Sequence, residues 1–163
     1  YDASQFVANG NLFIPGLLTN HNIVINGAYL KKDTAGQLNF SSGFPFSRGY
    51  QGQNLHEMVK WGANYHLPLI YPDAGFASIV YFLRLRANLF YDHTHVNDFL
   101  PNGKSFTANF RSIGAEVYFD TKWWNVAAIT VGFRYSYLLD NDLFGGTGKN
   151  RWELILPVNI FDQ

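Results

Sequence analysis

The chain has 163 residues and no cysteine, and its twelve Lys and Arg residues balance its twelve Asp and Glu residues. Zero net charge excludes the global positive field that gathers nucleic acid, and the lack of cysteine excludes disulfides and thiolate chemistry. Charged residues make up 15% and aromatic residues 18%, against roughly 25% charged residues in a soluble domain. No apolar stretch approaches the roughly 20 residues of a membrane-spanning helix, so only strands could carry this chain across a bilayer.

Seven strands are predicted, because apolar side chains recur at every second position and helical spacing fits none of the four clearest segments. In the third strand, for example, Val59, Trp61 and Ala63 alternate with Lys60 and Gly62. The predicted strands span about 4–14, 22–30, 56–67, 77–92, 106–120, 126–138 and 151–161. Neighbouring strands joined by turns are antiparallel, so the predicted fold class is all-β.

The predicted connections alternate between short and long. The short ones span 15–20, 68–75 and 121–125, and the long ones span 31–54, 93–105 and 139–150. Bacterial membrane barrels have short periplasmic turns and long extracellular loops, with strands of about 9–11 residues. The pattern therefore predicts an antiparallel transmembrane β-barrel. The alternative is a soluble lipocalin-like barrel or a sandwich whose apolar face points inward.

Five charged side chains of the predicted strands lie on the less apolar face. This face carries Lys60, Arg84, Arg86, Glu116 and Arg134. A cationic side chain on the lipid face at the bilayer midplane would cost about 2–4 kcal/mol. These residues are therefore expected to point into the lumen, and the apolar, aromatic-rich face is expected to meet lipid.

The longest predicted loop contains Arg48-Gly49-Tyr50 within the stretch 41–50. This stretch resembles the Arg-Gly-aromatic signature of the bacterial surface antigen superfamily, which includes outer-membrane assembly factors and two-partner-secretion transporters. Members are sixteen-stranded barrels whose sixth extracellular loop carries the signature into the lumen, with five strands after it. Five predicted strands follow Arg48 here. The resemblance implies that residues 1–163 are the C-terminal seven strands of such a barrel, incomplete as a closed barrel on their own.

Two further segments are similar to the superfamily, namely 89–92 and 112–116. The resemblance implies that Arg48 enters the lumen and pairs with Asp92, with Glu116 as a second acceptor. Three features depart from the superfamily pattern: Ser47 replaces an aliphatic residue, Thr94 replaces a glycine, and the sequence ends Phe161-Asp162-Gln163 instead of on a terminal aromatic residue. The aromatic-rich and Asn-rich composition is similar to members from the Bacteroidota lineage.

Other chemistry has weaker signals in the sequence. His93 and His95 stand two residues apart near Asp98, and would bind zinc only if a third ligand approached. A solvated extracellular loop is the favoured interpretation of that segment. No nucleophile motif accompanies the remaining histidines, so we expect neither an enzyme nor a cofactor. Pro157 in the last predicted strand suggests a weak lateral seam, since proline belongs at a sheet edge or bulge.

The functional expectation is an outer-membrane barrel of the protein assembly or secretion type, which helps to insert or translocate polypeptides. Its expected partners are outer-membrane lipid, the strands or chains that complete the barrel, and a polypeptide substrate. A passive pore, a ligand-binding barrel, and a membrane anchor for a propeller or hydrolase domain are the alternatives.

Overall fold

The computed structural model describes residues 4–32, 43–52, 55–77, 79–99, 103–124, 126–142 and 148–156. The described residues form eight β-strands, and none of them belongs to a helix that is long and apolar enough to cross a membrane. The strands are β1 (Gln5–Pro15), β2 (Asn22–Lys32), β3 (Glu57–Ile70), β4 (Ala74–Phe76), β5 (Val80–Phe99), β6 (Ser105–Trp123), β7 (Ala127–Leu138) and β8 (Asn150–Ile155).

The strands form one antiparallel sheet in the order β1-β2-β3-β5-β6-β7-β8, with the short β4 paired to β5 beside this path. The predicted all-β, antiparallel class is confirmed. Within the described residues the sheet does not close, because β1 and β8 each pair with a single neighbour. Closure into a barrel therefore stays a prediction.

Two strand predictions differ from the structure. The seven predicted strands become eight, because Ala74–Phe76 folds back on the start of β5 as a short hairpin. The predicted long loop 93–105 is wrong, because β5 and β6 continue as a ladder as far as the pair Phe99 and Ser105. The polar residues of this stretch resemble a loop in sequence, yet their backbone groups are satisfied by the ladder. The last described strand ends at Ile155, and Pro157 lies outside the described residues.

Two register shifts interrupt the sheet near one end of its strands. One lies between Pro68 and Ile70 in β3 and the other between Phe82 and Arg84 in β5. Proline cannot donate to a ladder, and a bulge is one of the few places in a sheet that accept it. This is why β3 continues past Leu67, where the sequence pattern predicted its end.

The two faces of the sheet differ in chemistry and in exposure. The polar face carries the even-numbered residues of β3, β6 and β7, and those of β5 from Arg84 onward. The register shows this, because Lys60 lies opposite Thr94, and Glu116 lies opposite Arg134. The apolar face carries the odd-numbered ones, including the exposed Val59, Trp61, Leu89, Ile113, Phe133 and Tyr137. Among the described residues, buried polar or charged side chains outnumber buried apolar ones by eleven to seven. The covered face is therefore the polar one, which reverses the usual arrangement of a half-buried sheet.

Candidate functional site

The site is a stretch of chain that crosses the polar face. Residues 43–50, which we call the Arg48 segment, precede β3 and lie against the sheet near the start of that strand. Three aromatic rings of this segment, Phe44, Phe46 and Tyr50, pack on a buried apolar cluster. The cluster consists of Leu30, Met58, Val96 and Phe110. Apolar burial at this end of the strands therefore holds the segment against an otherwise polar surface.

Arg48 is the residue by which the segment contacts the polar face most deeply. Its Nε donates to Asp92 Oδ2 at 2.7 Å and its Nη2 donates to Asp92 Oδ1 at 3.1 Å. The Arg48 backbone N–H donates to the same carboxylate at 3.2 Å. Because Asp92 is 0% exposed, this bidentate pair is shielded from solvent and is of the stronger, charge-assisted kind. The contact expected from the resemblance is present.

Two further strands supply hydrogen-bond acceptors to the guanidinium group of Arg48. Arg48 Nη2 donates to Asn64 Oδ1 at 2.7 Å, and Nη1 donates to Glu116 Oε1 at 3.3 Å. The guanidinium carbon lies 3.7 Å from the centre of the Phe90 ring, which adds a cation–π contact. One side chain thus joins β3, β5 and β6, and Glu116 is the second acceptor that the resemblance implied.

Two other predicted charges complete this network. Lys60 Nζ lies 3.5 Å from Asp92 Oδ1, and Arg134 donates to Glu116 at 2.6 Å and to Glu153 at 2.7 Å. Together with Arg48 this gives three cations and three carboxylates. Each of these carboxylates and cations has a partner of opposite charge. The network therefore has a structural role, which is to fix the positions of these side chains.

Ser47 is a site residue that the sequence pattern did not assign. It is buried, its Oγ lies 2.7 Å from Thr94 Oγ1, and it donates to the Phe110 carbonyl at 2.8 Å. Ser47 and Thr94 are two of the departures from the superfamily pattern, and they contact each other. The paired departure is the one signal in the sequence that points to this contact.

Gly49 lets the chain turn close to the sheet. Its φ is +85°, and a Cβ built there would lie 2.8 Å from the Cβ of Ser136 and 2.9 Å from a methyl carbon of Leu138. Both the left-handed backbone and the lack of space favour glycine at this position. Gly49 is therefore required by its close approach to Ser136 and Leu138 as well as by the turn.

Tyr50 joins the end of the Arg48 segment to the sheet through hydrogen bonds at the end of β7. Its hydroxyl lies 2.9 Å from the Arg111 carbonyl oxygen and accepts a hydrogen bond from the Asp140 N–H at 3.2 Å. Burial raises the pKa of Tyr50, so the hydroxyl stays protonated. Arg111 donates to both Asp140 carboxylate oxygens, at 2.7 and 2.9 Å. These hydrogen bonds and the Arg111 charge lower the pKa of Asp140.

Arg84 and Arg86 lie on the polar face, as predicted, but not in the Arg48 network. Both guanidinium groups pair with Asp120 near the opposite end of the strands. Their register partners on β6 are Asp120 and Tyr118. The predicted set of polar-face charges is thus divided between two places, one under the Arg48 segment and one beyond it.

His93 and His95 do not lie in a loop, contrary to the favoured interpretation. They belong to β5 on the apolar face, and both rings lie within hydrogen-bond distance of Asn109 Oδ1, at 3.2 and 2.8 Å. Within the described ranges, no three His, Asp or Glu residues cluster as a metal site would require. Asp98 is not among the contacts of the two rings that the structure describes.

Comparisons of the chain with protein-family models, with curated proteins and with solved structures find no match. The resemblance to the bacterial surface antigen superfamily therefore stays a prediction. The contacts of the Arg48 segment and the chemistry of the two faces are what support a function.

Proposed function

We propose that this chain is part of the wall of an outer-membrane β-barrel of the protein assembly or secretion type. The observation that carries the proposal is the docking of Arg48 on Asp92, Glu116 and Asn64, which belong to three strands of the polar face. The polar face is then the lumen face, and the Arg48 segment is a loop held inside the barrel.

The apolar face has the chemistry that a lipid-facing wall requires. Large apolar side chains such as Trp61, Leu89 and Phe133 are about half exposed, and a patch of this extent indicates an interaction surface. On β6 this face extends from Ile113 to Trp123, ten steps of about 3.4 Å, or about 34 Å along the strand. A strand tilted by roughly 40° would then span about 25 Å, the height of an outer-membrane apolar band.

A soluble barrel or sandwich fits the two faces less well. Such a fold buries its apolar face and exposes its polar one. Here the covered residues include Asp92, Glu116, Asn88 and Thr94, each at most 2% exposed. Burial of so many polar groups is tolerated because their side chains hydrogen bond with other polar groups, and it favours the polar face as the inner one.

The two edge strands indicate what the wall still needs. In hydrocarbon, each unpaired backbone N–H or C=O group costs several kcal/mol, so spanning sheets have no open edges. β1 and β8 each have one neighbour within the described part of the chain. Further strands, from the same polypeptide or from partner chains, would close the wall beside them.

The docked segment distinguishes an assembly or secretion barrel from a passive pore. A pore requires a free aqueous path, whereas here the Arg48 segment covers one end of the polar face through buried contacts. A segment held by charge pairs inside the lumen is placed to regulate the passage of a polypeptide. The docking of the Arg48 segment favours neither a ligand-binding barrel nor a membrane anchor for a propeller or hydrolase domain.

The proposal is tested by comparing Arg48→Ala with Lys104→Ala in cells that depend on the full-length protein. Folded outer-membrane proteins or the secreted polypeptide are quantified, and conductance is recorded in planar bilayers. We expect Arg48→Ala to reduce assembly or secretion far more than Lys104→Ala does. Increased conductance of Arg48→Ala with unchanged assembly and secretion would contradict the proposal and support the passive pore.

A further inference from the structure

The polar face has a second feature beyond the Arg48 segment. Near the end of the strands where β5 begins, a cavity of about 180 Å³ opens on this face. Its lining includes Asn20, His66, Tyr71, Arg84, Arg86 and Tyr118. We infer that this cavity is a binding site for a small oxyanion, a phosphate or a carboxylate group, held by Arg84 and Arg86.

The first reason is an excess of positive charge. Arg84 and Arg86 share one carboxylate, Asp120, to which Arg86 Nε donates at 3.1 Å. Asp120 also accepts a hydrogen bond from Thr130 at 2.7 Å. By contrast, Arg48 is satisfied by two carboxylates and an amide. One monovalent anion bound between Arg84 and Arg86 would balance the summed charge of these two arginines and Asp120.

The second reason is that the two guanidinium groups are accessible. Their side chains are 51% and 38% exposed, against 16% for Arg48. The hydrogen bonds that the structure describes for Arg84 use its Nε, and those for Arg86 use Nε and Nη2. Both residues line the cavity, and a planar guanidinium binds phosphate and carboxylate in a bidentate manner.

The third reason is that the backbone bulges and the Tyr118 ring position the two arginines before any ligand binds. The two register shifts of the sheet, at 68–70 and 82–84, flank the cavity, and bulges of this kind re-aim side chains beside functional sites. The Arg86 guanidinium lies 4.7 Å from the centre of the Tyr118 ring. Stacking on the ring lowers the freedom that Arg86 would lose on binding.

The size of the cavity limits the ligand. Pockets for drug-sized molecules have about 300–1,000 Å³, so this cavity suits a single anionic group. Free phosphate and the carboxylate of a polypeptide share that chemistry. The polypeptide source rests on the proposed function, whereas binding of free phosphate does not require it.

The first experiment uses inorganic phosphate and the full-length protein in detergent micelles, with binding followed by calorimetry and by ³¹P line width. We expect Arg84→Gln/Arg86→Gln to bind phosphate at least about tenfold more weakly, through loss of charge-assisted hydrogen bonds. Lys31→Gln, at the other end of the strands, is the matched control and should bind normally. Equal affinity of the wild type and the double variant would overturn the site.

A second variant is expected to raise the affinity for phosphate, which a loss of folding could not do. Asp120→Asn removes the anion that competes for both arginines, so we expect phosphate to bind more tightly than in the wild type. A purely structural role of the Arg84, Arg86 and Asp120 contacts predicts no gain. Weaker binding by Asp120→Asn in a folded protein would therefore contradict the inference.

The second experiment distinguishes the two sources. Short peptides with a free terminal carboxylate are compared with the same peptides carrying a terminal amide. Stronger binding of the free carboxylate, lost in Arg84→Gln/Arg86→Gln, supports a polypeptide ligand. Binding of phosphate without any preference between the peptides overturns the polypeptide source and assigns the site to free phosphate, whatever the outcome of the Arg48→Ala experiment.

Discussion

The hydroxyl of Ser47 lies 2.7 Å from the hydroxyl of Thr94, and both side chains are almost completely shielded from solvent. Ser47 also donates to the Phe110 carbonyl, so the hydroxyl of Thr94 is the donor to Ser47. Two of the departures from the superfamily pattern thus belong to one connected chain of hydrogen bonds. Next to it, Arg48 contacts Asp92, and the two contacts fix consecutive residues of the segment.

Substitution of Ser47 should cost more stability than substitution of Thr94. Ser47→Val leaves both the Thr94 hydroxyl and the Phe110 carbonyl without this partner, whereas Thr94→Val leaves Ser47 its bond to Phe110. Each buried group left unpaired costs about 1–3 kcal/mol. Urea unfolding of the two single variants and the double variant measures the coupling, which we expect to be about 1 kcal/mol. Additive effects would contradict the contact.

Removal of Arg48 should be far more destabilising than removal of a surface lysine. Arg48→Ala leaves the buried Asp92 with Lys60 as the cation that the structure still describes beside it, so we expect a loss somewhat below the roughly 3–5 kcal/mol of a buried charge left without any partner. Arg48→Lys retains the charge but not the bidentate geometry, so an intermediate loss is expected. Unfolding free energies of both variants are compared with Lys104→Ala, and equal values for the Ala variants would contradict a structural role of the pair.

Alanine at Gly49 should detach the Arg48 segment from the sheet. The new Cβ would meet Ser136 and Leu138 while the backbone retains a φ of +85°, and strain of this kind costs about 1–3 kcal/mol. Gly52→Ala is the matched control, because a Cβ there meets nothing within 4 Å. Limited proteolysis between residues 43 and 52 should cleave Gly49→Ala faster than Gly52→Ala. Equal cleavage rates would argue against the close approach.

The contact between Arg111 and Asp140 should make stability depend on acid pH. Since the pKa of Asp140 is lowered in the folded protein, its contribution is present above the unfolded pKa of about 3.9 and is lost as the pH falls through the folded value. The difference in unfolding free energy between the wild type and Asp140→Asn should therefore be constant from about pH 7 to 5 and shrink below about pH 4. A difference that persists unchanged at about pH 2 would contradict the assignment.

Much of the fold could be predicted because strand periodicity depends on local alternation. Within each strand, alternation places Lys60, Asp92 and Glu116 opposite the apolar side chains, and the register places all three on one face of the sheet. The end of β5 could not be predicted, because Asn97 and Asp98 resemble a loop and are held by a ladder with β6. In this part of the hairpin, polar residues occupy both faces, so no alternation of apolar and polar residues indicates a strand.

The site was predicted in part for a similar reason. A motif indicated Arg48 and its acceptors, but the contacts of Ser47 and Asn64 depend on strands that are distant in sequence and adjacent in the sheet. The division of the cations into two groups depends on position along the strand. Alternation assigns a side chain to a face, but it does not predict that the Arg48 segment packs against one part of that face.

The apolar face is proposed to meet lipid while the polar face lines an interior, and β7 allows a direct test. Because the chain has no cysteine of its own, single cysteines can be placed at each position from 129 to 137 in the full-length protein, reconstituted in bilayers and given a spin label. We expect labels at odd positions, such as Phe133 and Tyr135, to be reached by oxygen dissolved in the lipid, and labels at even positions to be shielded from it. Alternation of the opposite phase, or no alternation at all, would contradict the assignment of the two faces.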